Sequence, residues 1–169
     1  MRKLIIFIIV ILGCGQKDKE KLQSPRGIET TQNFTVLESF TGKPKWFLKA
    51  EKAIESPNEK IIKIYKIRLS FLNEAGDTIS VLTSDSGVVD NQNGNLYSLG
   101  DVKVVTSDSI FLRTDSLRWD NKNMKIKTDG KINYRSGNES FRAIGFESDP
   151  NLKKIIIKKK ISGSGEFKE

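Results

Sequence analysis

Aspartates recur at fixed positions in the second half of the sequence and are its clearest candidates for chemistry. Asp85 and Asp115 lie 30 residues apart, as do Asp90 and Asp120, and Asp149 belongs to a fainter third copy. Carboxylates brought together in space can hold a metal ion or act as general acids and bases. The alternative is that each carboxylate caps a turn by accepting backbone N–H groups. Turn capping is favoured, because a full repeat separates the aspartates and Ser, Gly and Asn surround them.

The composition excludes most other catalytic chemistry. The sequence has no histidine, so it lacks the usual general base and the commonest metal ligand. Its single cysteine, Cys14, excludes an intrachain disulfide and a cysteine-rich metal site. Neither a glycine-rich phosphate loop nor a calcium-binding loop has the required spacing. We therefore predict a protein that is not an enzyme and needs no cofactor or metal. An enzyme acting on glycans remains a rival, and it would need paired carboxylates in a cleft.

The length and net charge of the chain limit the remaining classes of protein and partner. The 169 residues suffice for one domain with a substantial core. Lys and Arg number 29 against 21 Asp and Glu, a net charge of +8, which favours acidic partners such as phosphates and anionic lipids. No nucleic acid is expected as a partner.

The N-terminus reads as an export signal. Residues 4–12 are wholly apolar and follow the basic start Met1-Arg2-Lys3. This stretch is shorter than the ~18 residues that a membrane-spanning helix needs. Ile11-Leu12-Gly13-Cys14 resembles a bacterial lipobox, which predicts removal of residues 1–13 and lipidation of Cys14, whose acyl chains would bind the membrane. The alternative is an incidental buried cysteine. Residues 14–31 are polar and are expected to form a flexible tether.

A 30-residue repeat and alternating polarity predict an all-β fold from residue 34 onward. Gly100 and Gly130 are expected to occupy the same bend in two copies. The pattern indicates ten or more short strands and no convincing helix, apart from a possible helical turn at residues 51–54. Tyr65 is assigned to the same face as Ile67. A barrel, a sandwich and an elongated jelly roll all fit this spacing, and the repeat favours the roll.

One face of these strands is apolar and predicts the core. Its residues are Trp46, Leu48, Leu69, Phe71, Val102, Val104, Ile110, Leu112, Trp119, Ile132 and Tyr134. Either it closes into an ordinary sandwich core, or the sheets stay partly apart and leave an apolar groove. A second feature is the lysine-rich segment 153–160, interpreted as an edge strand whose charges block unwanted pairing.

These residues together resemble the LptC family. The resemblance rests on Trp46-Phe47-Leu48-Lys49-Ala50, Ser84-Asp85-Ser86-Gly87, Gly100-Asp101-Val102, Leu112-Arg113-Thr114-Asp115-Ser116-Leu117, Trp119-Asp120 and Ala143-Ile144-Gly145-Phe146-Glu147. It covers roughly residues 34–163. It implies an elongated OstA-like β-jelly-roll of two facing antiparallel sheets, assigned here to residues 32–163, with 164–169 as a tail.

The resemblance also implies a function in lipopolysaccharide export. Such a protein takes lipopolysaccharide from the LptB–LptF–LptG transporter and passes it to an LptA-like bridge protein, at the periplasmic face of the inner membrane. The acyl chains are expected between the sheets, with Phe71, Val104, Leu112 and Tyr134 as candidate lining residues. The alternative is an envelope lipoprotein that acts as a scaffold and carries no lipid.

Overall fold

In the part of the chain that the structure describes, nine antiparallel strands form one sheet, and each strand pairs with the next along the chain. This computed structural model describes residues 28–56 and 59–164. The strands are β1 Glu29–Phe40, β2 Lys43–Glu55, β3 Ile61–Leu72, β4 Thr78–Asp90, β5 Leu96–Thr106, β6 Phe111–Asp120, β7 Lys125–Ser136, β8 Glu139–Ser148 and β9 Ile156–Ser164. The all-β prediction is confirmed, although the strands are fewer and longer than the ten or more short ones expected. No helix in these two ranges is long and apolar enough to cross a membrane.

The strands bend near their middle, and the bends line up across the sheet. Pairing shifts register at Thr83/Ser86, Leu99/Val102, Thr114/Arg118 and Thr128/Lys131. A bulge of this kind adds a residue and re-aims the side chains that follow it. In β4, for example, Ser84 and Gly87 are both buried although they are three residues apart. Both ends of each bent strand therefore send their apolar side chains into one interior.

The bend line divides the sheet into two halves that face each other. We call them the Phe71 half, which ends at the β3–β4 and β5–β6 turns, and the Trp119 half, which ends at the β4–β5 and β6–β7 turns. The rings of Phe71 and Trp119 meet edge to face, 4.7 Å apart. Trp46 Nε1 donates a hydrogen bond to Asn121 Oδ1 across the same gap, at 2.9 Å. The two facing sheets of the expected jelly roll are thus two halves of one continuous sheet.

Two sequence assignments in β2 and β3 are wrong. Residues 51–54 continue β2 and do not form a helical turn. Tyr65 is 40% exposed, and its neighbour Ile64 faces the core instead. The cause lies at Lys66, whose φ of 52° places it in the left-handed region and breaks the alternation of the strand. Beyond this point Ile67, Leu69 and Phe71 are buried as expected.

The two repeat copies place their glycines in equivalent bends, as predicted. Gly100 and Gly130 both lie in the register breaks at the bend. The turns are equivalent too, because Asp90 accepts a hydrogen bond from Asn93 Nδ2 and Asp120 accepts one from Asn123 Nδ2. A shared pattern of turn contacts and bends is what stacked copies of one unit produce.

The predicted signal segment 1–13, Cys14 and most of the tether lie outside the described residues. The first strand begins at Glu29, so residues 29–31, assigned to the tether from sequence, pair with β2. At the other end, β9 extends to Ser164.

Candidate functional site

The interior of the folded sheet contains a continuous apolar row. We call it the interior row. Its members are register partners on eight successive strands: Val36, Leu48, Leu69, Leu82, Val104, Leu112, Tyr134 and Phe141. Adjacent strands are about 4.8 Å apart, so the seven steps of the row span roughly 34 Å. An apolar track of this length crosses the sheet at right angles to the strands, from the edge strand β1 to β8.

The four residues proposed from sequence to line a lipid slot all face this interior. Val104 and Leu112 are fully buried, Phe71 is 1% exposed and Tyr134 is 8% exposed. Their inward orientation is therefore confirmed, whereas contact with lipid stays a prediction. Val104, Leu112 and Tyr134 belong to the interior row. Phe71 lies two residues beyond Leu69 and packs on Trp119 from the opposite half.

Sequence reasoning missed three members of the row, Val36, Leu82 and Phe141. Leu82 is fully buried, and the alternation along Thr78–Thr83 carries the signal for it. Phe141 is 6% exposed and stacks on Tyr134 with ring centroids 4.6 Å apart. Its strand, β8, holds the least regular repeat copy, so pairing with Tyr134 was not visible in the sequence.

The protein's own side chains fill the space between the halves. Trp119, Leu96 and Ile126 form a second row across the Trp119 half and are at most 3% exposed. A guest chain can therefore occupy the interior only if the two halves move apart. Within the described ranges, Trp119 Nε1 and Ser98 Oγ are buried without a hydrogen-bond partner. Each such polar atom costs about 1–3 kcal/mol, which an oxygen of a bound molecule would recover.

A hydrogen bond, which we call the closure, joins the ends of the two halves. The hydrogen bond from Trp46 to Asn121 joins the start of β2 to the β6–β7 turn. A hollow of about 220 Å³ lies beside it, lined by Glu38, Lys45, Trp46, Asn121, Lys122 and Met124. A single hydrogen bond at such a partly exposed position contributes only about 1 kcal/mol. This hydrogen bond therefore adds little to the free energy that holds the two halves together.

The aspartates do not assemble into a catalytic or metal site. Asp90, Asp120 and Asp149 accept backbone N–H groups of Gln92, Asn123 and Lys153, respectively, which confirms turn capping for these three. Asp85 instead pairs with Lys66 Nζ at 2.9 Å on the outer surface. Among the residues that the structure describes, no group of acids is arranged to hold a metal ion.

The pKa of the Asp120 carboxyl lies below its ordinary value. The Asn123 side-chain N–H is the largest cause, and the Asn123 backbone N–H and Lys127 add to it, while desolvation works in the opposite direction. The ionised form is thus stabilised as a turn cap, as expected for a structural role.

Both margins of the sheet are available for pairing in the described chain. The edge strands β1 and β9 each have one neighbouring strand. β9 carries Lys158 and Lys159 within the lysine-rich segment, and Lys158 pairs with Asp129. Lysines on an edge strand discourage non-specific association.

Comparison with known protein families agrees with this architecture. The family model described as "Lipopolysaccharide-assembly, LptC-related" matches residues 4–166, almost the whole chain. The comparison with curated proteins finds no significant match. The family implies a component of lipopolysaccharide transport in the cell envelope, in line with the folded sheet and its apolar interior. This chain belongs to the LptC family.

Proposed function

We propose that the protein receives lipopolysaccharide from the inner-membrane LptB–LptF–LptG transporter and passes it to an LptA-like bridge protein. The acyl chains travel between the two halves of the sheet. The observation that carries this proposal is the interior row, which is apolar at every strand from β1 to β8. A path of this kind leads from one edge of the sheet towards the other.

The energetics of an acyl chain require such a path. Each methylene exposed to water costs about 0.8 kcal/mol, so a chain of about a dozen methylenes costs roughly 10 kcal/mol. Opening the closure at Trp46 and Asn121 breaks one hydrogen bond and exposes the interior row. Contacts with the guest then replace the contacts that the two halves make with each other. The buried Trp119 Nε1 offers a donor to an ester or hydroxyl oxygen of the lipid.

The two edge strands supply docking points for neighbouring proteins. Addition of a partner's strand to an open edge joins two sheets through backbone hydrogen bonds. The β1 edge follows the N-terminal segment, which is predicted to lie at the membrane, so we assign this edge to the transporter. The β9 edge is then left for the bridge protein.

Attachment to the membrane through Cys14 completes the proposal. Removal of residues 1–13 and acylation of Cys14 would keep the roll at the periplasmic face of the inner membrane. Intact-mass measurement of protein extracted from membranes should give a chain that starts at Cys14 and carries added acyl mass. A chain that still begins at Met1 without acyl mass would contradict the lipobox assignment and leave the interior path unaffected.

Photo-crosslinking in cells tests the interior path. A crosslinker placed singly at Phe71, Val104, Leu112 or Tyr134 should capture lipopolysaccharide, and one at the outward-facing Lys66 should not. Thermal unfolding of each variant confirms that it is folded. Capture at Lys66 alone would reject the inward path.

A scaffold without a lipid-carrying role is the second candidate, and the filled interior favours it. Val104, Leu112 and Leu82 are fully buried against the protein's own side chains, as in an ordinary sandwich core. The same experiment distinguishes the two functions. Absence of capture at all four interior positions, in cells that still export lipopolysaccharide through this protein's complex, would establish the scaffold and refute the carrier.

A further inference from the structure

The outer surface of the Phe71 half is sorted into bands that run across the strands. The first, which we call the basic row, follows register partners from β1 to β9: Thr35, Lys49, Arg68, Thr83, Lys103, Arg113, Asn133, Arg142 and Ser162. Five of its nine members are basic and none is acidic. Since each residue is the register partner of the next, the charges form one continuous line across the sheet.

A second band, the apolar row, lies two residues further along strands β1 to β6, away from the bend, and ends at Arg135 on β7. Its members are Leu37, Phe47, Val81, Val105 and Phe111, with Ser70 between Phe47 and Val81. Leu37 is 60% exposed and Val105 is 45% exposed. Two residues of strand span about 7 Å, so these apolar groups lie directly beside the cations.

Acidic side chains form a third band on the other side of the basic row, at the bend. Asp85, Asp101 and Asp115 each lie two residues from a member of the basic row. Lys66 lies in the same band and pairs with Asp85, and Lys131 continues the band on β7. Asp101 pairs with Lys103 and with Arg113, the latter at 2.7 Å. In the part of the chain that the structure describes, no ion pair engages Lys49, Arg68 or Arg142. These three cations are therefore open to an external anion.

Two hollows lie along the boundary between the basic and apolar rows. One, of about 310 Å³, has Arg68, Thr83 and Lys103 on one side and Val81 and Val105 on the other. The other, of about 540 Å³, lies over β6–β9 and is lined in part by Phe111, Arg135 and Arg142. Each hollow combines cations with an apolar wall, which is the combination that a phosphate attached to hydrocarbon would fill.

We propose that this outer face docks on an anionic phospholipid bilayer. The basic row contacts headgroup phosphates and the apolar row enters the boundary between headgroups and acyl chains, while the acidic band is the band farthest from the apolar row. The opposite outer face is not sorted in this way, because Lys127 there lies in register with Glu147. The inference concerns the orientation of the roll on the membrane, and it holds whether or not the interior carries lipopolysaccharide.

Depth-dependent fluorescence quenching of the full chain tests this orientation. The protein is reconstituted through its N-terminal segment into vesicles of phosphatidylcholine, or of phosphatidylcholine with roughly one third phosphatidylglycerol, both containing a nitroxide-labelled lipid. A fluorescent amino acid replaces either Val105 or Leu99. The two positions are matched, because both lie on β5, their exposures are 45% and 48%, and they belong to opposite halves.

Quenching is expected at position 105 in the anionic vesicles alone, and at position 99 in neither. A variant with Lys49→Gln, Arg68→Gln and Arg142→Gln should lower the ratio of docked to undocked protein on the order of 100-fold, since each cation near an anionic surface contributes about fivefold. A control variant with Lys63→Gln, Arg118→Gln and Lys154→Gln removes three exposed charges from the Trp119 half and its adjoining β8–β9 loop and should leave quenching unchanged.

Three outcomes would overturn the proposal. The first is equal quenching at positions 99 and 105. The second is quenching at position 105 in vesicles that lack phosphatidylglycerol. The third is a loss of quenching in the control variant as large as that in the Lys49, Arg68 and Arg142 variant. Thermal unfolding temperatures of the two triple variants confirm that they remain folded. Because the anchoring segment is the same in every sample, a failure of docking cannot be mistaken for a failure of Cys14 or of the interior path.

Discussion

Val104 and Val105 are neighbours on β5, and they serve two different surfaces. Val104 is fully buried in the interior row, whereas Val105 is 45% exposed in the outer apolar row. Inside, every member of the interior row from β1 to β8 is apolar. Outside, on the Phe71 half, most apolar, basic and acidic side chains lie in separate parallel bands, with Lys66 among the acids as the partner of Asp85. Burial alone requires only that the inner face be apolar, so burial does not account for the ordering of the outer face.

The sharpest way to test this difference is the same substitution at the two valines. Val104→Ala removes two buried carbons and leaves a small cavity, so we expect a loss of roughly 2–3 kcal/mol in the free energy of unfolding. Val105→Ala should change it by less than about 0.5 kcal/mol. Urea denaturation of the two variants measures both values. Losses of similar size would contradict the assignment of Val104 to the inner face of β5 and Val105 to its outer face.

Much of this inner and outer assignment could be predicted from the sequence, because the repeat fixes the phase of the later strands. Val102, Val104, Leu112 and Ile132 were all expected to face inward, and all are buried. The assignment of Tyr65 to the inner face was wrong, because no Gly, Pro or Asn marks the bend there. A lysine in the left-handed region, at Lys66, has no signature in a pattern of polar and apolar residues.

The folding of one sheet into two facing halves was also beyond the sequence. Alternation shows which residues share a face within a strand, but not that the bends of neighbouring strands align. That alignment depends on pairing between strands, for example between Thr128 and Phe146 beside the register break at Lys131 and Ile144. The basic row was missed for the same reason. Lys49, Arg68 and Lys103 are far apart in the sequence and meet only through the register of four strands.

The bends themselves offer a second, smaller contrast. Gly100 has a φ of +77°, whereas Gly130, in the equivalent bend, does not require a positive φ. Gly100→Ala should cost about 1–2 kcal/mol, because a side chain disfavours the left-handed region. Its added carbon would also approach Asp85 Oδ2 at 2.9 Å.

The matched variant Gly130→Ala should lie within about 1 kcal/mol of the unsubstituted protein, since reduced flexibility of the unfolded chain offsets a mild contact with Thr128. Thermal unfolding measures both variants. If Gly130→Ala were the more destabilising of the two, the two copies would differ in the packing around the bend and not only in backbone conformation.

Two aspartates, one protected and one exposed, should respond alike to pH and differently to salt. The Asp120 side chain is 9% exposed, and hydrogen bonds from Asn123 are the main cause of its lowered pKa. The Asp129 side chain is 89% exposed, and its pKa is lowered by Lys158. Because both pKa values lie below the ordinary 3.8, each carboxylate stabilises the fold above that pH. This stabilisation is lost as the pH falls through the folded-state pKa.

Asp120→Asn and Asp129→Asn should therefore both reduce stability at pH 7, and the deficit of each should shrink as the pH falls to about 2. Salt separates the two sites. In about 1 M NaCl the exposed ion pair of Asp129 is screened, so its deficit at pH 7 should disappear, while that of Asp120 should persist because short hydrogen bonds to a protected carboxylate are screened much less. Urea denaturation at both pH values, with and without salt, measures the deficit of each variant under these four conditions. A deficit at Asp120 that vanished in salt would show that its stabilisation comes from the charge of Lys127 and not from the turn cap.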